Sequence, residues 1–246
     1  MKVVIFADGY VGAKITRFIV DQYADDLALV ITTQKNAITD LALEAGIATS
    51  VYETEEIALA TMSDIAAPVD LGILAWWPKI IRKRLLSFPK SGFINTHPSL
   101  LPRQRGKHYN FWAIVEQSPF GVTLHRVDEG IDSGEIVSQQ EVTYDWSDNG
   151  ASLYQKAQEA MIALFRETYP QLRQRGVASV PQDESLVSFH HSSELEAAST
   201  IELDQSYSGR ELLNLLRART FPGHPGCRFR DNGEVFEVSI DIKKVK

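Results

Sequence analysis

Val3-Val4-Ile5-Phe6-Ala7 is followed at once by Asp8-Gly9-Tyr10-Val11-Gly12. Five apolar residues without alternation read as a strand buried on both faces, the pattern of a mostly parallel sheet covered by helices. Val11, Ile15, Phe18 and Ile19 then recur at helical spacing, so the two glycines mark a strand-to-helix turn. The alternation continues outward from there. Residues 27–31 read as the next strand, 37–46 as a helix, and 71–75 and 93–95 as further central strands. This succession predicts an α/β fold, a Rossmann-like doubly wound and mostly parallel sheet with ligands at the carboxyl ends of its strands. The full dinucleotide fingerprint Gly-x-Gly-x-x-Gly is missing, which argues against a nicotinamide cofactor. Gly9-x-x-Gly12 is then either a tight turn or a substrate-lining one, with Tyr10 facing the same crevice.

At 246 residues the chain suffices for one sizeable α/β domain and a small appendage. Apolar residues make up 44% and charged residues 23%, as in ordinary globular proteins. No apolar stretch approaches the length of a membrane span and no basic-then-apolar leader opens the chain, so a cytoplasmic protein without membrane contact is expected. The lone cysteine, Cys227, has no disulfide partner and reads as a structural thiol. A net charge of −7 disfavours a broad nucleic-acid surface. Two basic clusters stand out nonetheless. Lys79, Arg82, Lys83 and Arg84 read as a solvated helix face, with Ile80, Ile81, Leu85 and Leu86 on its apolar side. Arg103, Arg105 and Lys107 are better placed to meet an anionic substrate, because they directly follow the most informative stretch of the chain.

That stretch is Asn95-Thr96-His97-Pro98-Ser99-Leu100-Leu101-Pro102. Asn95 and His97 are two apart after the apolar run Gly92-Phe93-Ile94, so their side chains project from one face of a strand. Pro98 lacks an N–H and stops regular pairing, which leaves both at a strand end. A second stretch runs from Gly121-Val122-Thr123-Leu124-His125 to Asp128-Glu129-Gly130-Ile131-Asp132-Ser133-Gly134. A carboxamide, an imidazole and the Asp132 carboxylate in one crevice suit transfer of a carbonyl group. The amide donates to a developing oxyanion, the imidazole moves a proton, and the carboxylate orients the imidazole or takes the proton on.

Beyond it, 135–142 read as a strand pairing back on 121–126. A long helix carries Leu153, Ala157, Ala160, Met161, Leu164 and Phe165 as a core stripe, and Pro170 is expected to end it. Residues 176–207 are polar, Ser-rich and irregular, a connecting segment between a catalytic domain at 1–175 and a small C-terminal piece at 208–246. His190-His191 lies in that segment without a third ligand at suitable spacing, so no metal is expected. Ser208-Gly209-Arg210-Glu211 is a capping box opening a helix with Leu212, Leu213, Leu215 and Leu216, stopped by the Pro/Gly-rich run 222–226. A hairpin follows, turning at Asp231-Asn232-Gly233.

The two motifs together resemble the folate-dependent formyltransferase family, which carries Asn-x-His-x-Ser-Leu-Leu-Pro and a later Asp-x-Gly turn. Asn95, His97, Ser99, Leu100, Leu101 and Pro102 match the first; Gly121, Val122, Thr123, His125, Asp132 and Gly134 match the second. The likeness extends loosely to about residue 145. It implies Asn95, His97 and Asp132 as the catalytic trio and 10-formyltetrahydrofolate as the donor, with no metal. By the same resemblance the pterin is cradled by Leu74, Trp77, Ile80, Val127, Asp128 and Asp132, an apolar slot with polar edges. Trp76 departs from many relatives and reads either as packing or as a ligand contact.

Within the family, nucleotide-linked amino sugar N-formyltransferases are the nearest in pattern. Arg105-Gly106-Lys107 with Asn110 and Trp112 resembles their acceptor segment, and 216–222 resembles their C-terminal helix. That implies a dTDP- or UDP-amino-dideoxyhexose as acceptor, a formamido sugar for surface polysaccharide such as O-antigen, and no nucleic-acid partner. Lys107, and with it Arg103 and Arg105, would lie near the acceptor or its pyrophosphate, and Tyr109 against the hexose; Arg103 reads equally as a surface cation. The alternative is a methionyl-tRNA formyltransferase-like or other small-amine enzyme. The tRNA enzymes continue into a full second barrel domain, whereas a helix and hairpin are expected here. Glycinamide enzymes use a fuller phosphate loop than Asp8-Gly9-Tyr10-Val11, and a formyltetrahydrofolate hydrolase normally carries an N-terminal regulatory domain. A non-catalytic folate binder would not need the intact trio. The terminal hairpin could pair two copies across a twofold axis, so a homodimer through the C-terminal region is expected.

Overall fold

The computed structural model describes residues 1–174 and 178–245. The expected boundary between 175 and 176 lies outside those described residues. In chain order the elements are β1 (Val3–Ala7), α1 (Gly9–Tyr23), β2 (Leu27–Thr32), α2 (Ala37–Glu44), β3 (Thr49–Val51), α3 (Glu55–Ser63), β4 (Leu71–Ala75), α4 (Lys83–Leu86) and β5 (Phe93–His97). There follow β6 (Arg105–Gly106), α5 (Tyr109–Glu116), β7 (Gly121–Arg126), β8 (Ile136–Glu141) and α6 (Gly150–Arg173). The chain closes with β9 (Phe189–His190), α7 (Glu194–Ala198), α8 (Gly209–Arg219), β10 (Cys227–Asp231) and β11 (Glu234–Val238).

Seven strands form one sheet in the order β3-β2-β1-β4-β5-β7-β8. The first five are mutually parallel and β7 runs antiparallel to β5. All five residues of β1 and all five of β4 are buried, which is why their sequences are unbroken apolar runs. Gly12 explains the spacing of the first turn. A Cβ there would meet the Ala75 carbonyl oxygen at 2.9 Å, so α1 can lie against β1 and β4 only through glycine. Gly9, with φ +60, opens that helix in the left-handed region, where glycine is at ease.

The chain divides into two compact units. The first joins Met1–His97, Thr123–Gln139 and Met161–Gln182; the second joins Pro98–Val122, Gln140–Ala160 and Asp183–Lys246. The core stripe of α6 is buried as its period demands, from Leu153 and Ala157 to Leu164 and Phe165. Pro170 does not end that helix, which runs on to Arg173. The last turn is held from outside. Tyr169 Oη donates to Asp26 at 2.9 Å, and Arg173 Nε donates to the same carboxylate at 2.6 Å. Those side-chain bonds offset the backbone bond that the proline cannot make.

The basic run at 79–84 is likewise not one helix. Only Lys83–Leu86 is helical, and Pro78 precedes an extended approach to it. Ile80 therefore has no apolar face to join and is 78% exposed, while Ile81 and Leu85 are buried. Residues 178–207 hold more regular structure than their composition suggests. Within the second unit β9 pairs in parallel with β6, and His190 fixes the pairing by stacking on Trp112 with ring centroids 3.8 Å apart. Ser208 and Glu211 form the expected capping box on α8, and the hairpin turns at Asn232 and Gly233, both at positive φ.

Candidate active site

The carboxyl ends of β1, β4 and β5 lie side by side because the strands are parallel neighbours. Each delivers polar groups there. After β1, the Asp8 side chain caps α1 by accepting from Gly9 N at 2.7 Å and also accepts from the Thr33 hydroxyl. Beyond β4, Trp76 takes φ +58, an uncommon conformation for a bulky residue, and its N–H donates to Thr96 Oγ1 at 2.8 Å. Thr96 Oγ1 in turn donates to the Leu74 carbonyl at 3.0 Å, tying β4 to β5 just where the site begins.

On β5, Asn95 and His97 alternate onto one face, with His97 as the last residue of the strand. The turn at 127–135 brings Asp132 to them. Asp128 organises that turn, accepting from Gly130 N at 3.0 Å and from Ser133 Oγ at 2.8 Å. Gly134 lets it close, since a Cβ there would sit 1.9 Å from the Arg126 carbonyl oxygen. Asp132 itself takes φ +52, and its carboxylate Oδ1 stands 3.4 Å from His97 Nδ1. His97 is 4% exposed. Asn95, His97 and Asp132 therefore converge, as the motif spacing led one to expect.

Two residues with no assigned role in the sequence reading belong to the same cluster. His125, directly opposite Asn95 in the β5–β7 register, places Nε2 3.1 Å from Asn95 Nδ2 and 3.8 Å from Asp132 Oδ1. Its Nδ1 lies 2.8 Å from the Arg126 carbonyl. Burial, reinforced by neighbouring His97, pushes its pKa down to about 4, against the opposing pull of Asp132. Gln182 is buried beneath the turn, where Nε2 donates to the carbonyls of Asp132 at 2.8 Å and Gly134 at 2.7 Å. His125 did sit inside a matched motif; nothing in the sequence pointed to Gln182.

Among the described residues, His97, His125 and Asp132 are also the one group whose ligand atoms could hold a cation, all within 4.8 Å of one another. Those atoms are equally accounted for by the contacts just given. His190 is engaged elsewhere, bridging Glu116 at 2.8 Å and Glu194 at 3.2 Å.

The expected folate contacts differ in setting. Leu74 is buried, Val127 donates its N–H to the Phe93 carbonyl, and Trp77 packs edge-on against Phe6 at 5.3 Å and Tyr52 at 5.4 Å. Trp77 Nε1 is buried without a hydrogen-bond partner among the described residues. An orphaned indole N–H in an apolar wall fits a planar heterocycle that can accept a hydrogen bond. Tyr10 is 52% exposed on the first turn of α1. Arg103, Arg105, Lys107 and Tyr109 belong to the second unit. There Arg105 is buried and paired with Glu184 at 2.9 Å, Lys107 is exposed, and Tyr109 stacks on Tyr154.

Comparison with known proteins places the chain among relatives of known family. Residues 194–244 match the N-formyltransferase dimerization C-terminal domain. A methionyl-tRNA formyltransferase from Bacillus pumilus is 34% identical over 179 residues, which is 72% of this chain and 55% of that protein. The chain thus spans about half the length of that curated relative. In fold, it is similar to a sugar N-formyltransferase from a Shewanella species, with TM-score 0.81 and 21% identity over 100% of this chain and 99% of that one. It is also similar to the formyltransferase PseJ from Anoxybacillus kamchatkensis, solved with UDP-4,6-dideoxy-4-formamido-L-AltNAc and tetrahydrofolate, with TM-score 0.59 and 25% identity over 87% of this chain and 97% of that one. Residues 1–168 match the formyl transferase family itself, so the chain is a member of that family.

Proposed function

We propose that this protein transfers a formyl group from 10-formyltetrahydrofolate to the amine of a nucleotide-linked amino sugar. The observation that carries the reading is the approach of Asp132 Oδ1 to His97 Nδ1, 3.4 Å, beside the Asn95 carboxamide at a strand end. In the reaction the acceptor nitrogen bonds to the formyl carbon and the carbon–nitrogen bond to the donor breaks. One proton passes from the acceptor amine to the departing nitrogen. Asn95 Nδ2 donates to the formyl oxygen as charge builds on it. Asp132 would hold the His97 ring through Nδ1, and the imidazole would share that oxygen or carry the amine proton. The acceptor must arrive as a free amine, which favours amines of low pKa such as those on sugar rings.

The bound donor supplies the one-carbon unit. Leu74, Trp77 and Val127 would wall its heterocycle, with Asp128 at the polar edge and Ile80 at the mouth. Tyr10 would face the acceptor, whose pyrophosphate Lys107 and Arg103 would neutralise; Arg105 would support that loop through Glu184, and Tyr109 would bound the hexose. The relatives favour this choice by what they bind: PseJ was solved with a UDP-linked formamido sugar and tetrahydrofolate. The match to a dimerization domain at 194–244 supports a homodimer through the C-terminal region. No helix among the described residues is long and apolar enough to cross a membrane.

The second reading is formylation of initiator methionyl-tRNA, favoured by the 34% identity to the Bacillus pumilus enzyme. The test is direct: protein, donor and a panel of dTDP- and UDP-amino sugars, with charged initiator tRNA in parallel. Release of tetrahydrofolate and a product heavier by one formyl group with a sugar supports the proposal. Turnover with the tRNA alone would replace the acceptor and leave the reaction standing.

A further inference from the structure

We propose that His125 is the positioning residue for Asn95, holding its carboxamide with an N–H aimed at the formyl oxygen; this rests on formyl transfer being the reaction. The Arg126 carbonyl oxygen can only accept. The Arg126 carbonyl lies 2.8 Å from His125 Nδ1, so Nδ1 carries the hydrogen. A ring protonated there presents a lone pair at Nε2. That lone pair faces the Asn95 side chain at 3.1 Å, and only the amide nitrogen of Asn95 can satisfy it. Turned over, the carboxamide would set its oxygen lone pairs against those of Nε2. The orientation of Asn95 thus follows from the tautomer of His125, and the tautomer from the backbone of the next residue.

The lock needs the ring to be neutral, because an Nε2–H would collide with the Asn95 N–H. Five influences meet at the ring. Asp132, 3.8 Å away, the Arg126 carbonyl and Asp128 favour the charged form, while near-complete burial and His97 oppose it. Burial is the largest, and the ring stays neutral at physiological pH. An asparagine amide has two hydrogens. One goes to His125, which leaves the other in the amide plane for the oxyanion. Without an acceptor at Nε2 the amide can present oxygen instead, and a lone pair toward a developing negative charge raises the barrier.

The experiment has two arms. On the free protein, a two-bond proton–nitrogen NMR spectrum of labelled histidine at pH 7 should show His125 protonated at Nδ1 and bare at Nε2. The opposite tautomer, or an imidazolium, overturns the proposal whether or not any acceptor is turned over. In turnover, His125→Leu should lower kcat by about 10- to 100-fold, below the full loss of an oxyanion donor, with both KM values within about threefold. His125→Gln, whose Oε1 reaches the position of Nε2, should recover most of that rate. His125→Asn, which can keep the Arg126 bond but is too short to reach Asn95, should not. The acid limb of the kcat–pH profile should be the same in wild type and His125→Gln. A leucine variant with wild-type kcat, or a glutamine variant as slow as the leucine one with the same melting temperature, overturns the proposal. Loss of the acid limb in His125→Gln would make His125 a proton carrier instead. Failure of wild type to formylate any acceptor sinks the reaction assigned above, and the tautomer still stands or falls by its own spectrum.

Discussion

In the proposed reaction Asn95 has two hydrogen-bonding jobs on one small side chain, one to His125 and one to the formyl oxygen. Replacing it by alanine would remove the second donor, a loss that in comparable oxyanion sites costs about 10²–10³ in kcat. Asn95→Ala and Asp132→Ala should each lose turnover on that scale while melting within a few degrees of wild type. Normal kcat in either would remove that residue from the chemistry. His125 adds a pH dependence of stability whose sign can be worked out. Its ordinary pKa near 6.5 applies in the unfolded chain and about 4 in the folded one, so the unfolded chain binds the proton first. The stability it confers is complete above about pH 6.5 and is lost as pH falls toward about 4. Urea midpoints measured from pH 7.5 to 4.5 should therefore fall more steeply in wild type than in His125→Gln, and parallel slopes would refute the assignment. The sequence made Asn95, His97 and Asp132 legible because their residue types and spacing carry a motif. His125 stood in the same motif yet had no visible role. Its partner is 30 residues away, and the register that sets them face to face is a property of the folded sheet.

At the scale of the element, the turn carrying Asp132 shows how a carboxylate is held on a loop beside a buried histidine. Three devices act together: the Asp128 side chain bonding within the turn, glycine at 134, and Gln182 beneath. Gln182 takes hold of two carbonyl oxygens from a segment whose polar, Ser-rich sequence reads as a mere connection. Short apolar strands advertise themselves by composition, whereas a buried glutamine bonding backbone looks like any other polar residue until the chain is folded. The extra turn of α6 was hidden in the same way. Pro170 is a stop signal by local rules, and the bonds to Asp26 that outweigh it come from more than 140 residues away. Gln182→Leu keeps the volume and deletes both bonds. It should lower stability by about 1–3 kcal/mol through the buried carbonyls left unsatisfied, and kcat by about 10-fold as Asp132 loses its fixed approach to His97. A variant with normal kcat and reduced stability would mean that the turn holds its shape by Asp128 and Gly134 alone.

Across the whole molecule, the sheet and its site were readable from buried strands and one motif pair, while the C-terminal third was readable only in its local signals. The capping box at Ser208 and the Asp-Asn-Gly turn set α8 and the hairpin, but local rules do not say what the hairpin is for. A two-stranded hairpin is marginal on its own, and this one leaves Val235 52% and Phe236 41% exposed. Phe236 stacks on half-buried Phe229 across the ladder with centroids 5.3 Å apart, so Phe236 and Val235 present a small apolar patch. Apolar side chains arranged in that way gain from being covered, and the match to a dimerization domain over 194–244 favours a second copy as the cover. Phe236→Glu puts a charge in the patch and removes the stacking on Phe229, while the backbone ladder of the hairpin can persist and the proposed trio belongs to the other unit. Sedimentation velocity at micromolar protein should find wild type as a dimer and the variant shifted to monomer, with kcat per chain within about threefold. A variant that sediments like wild type would place the self-association surface elsewhere on the chain. A variant that is monomeric and inactive would instead make assembly a condition of turnover.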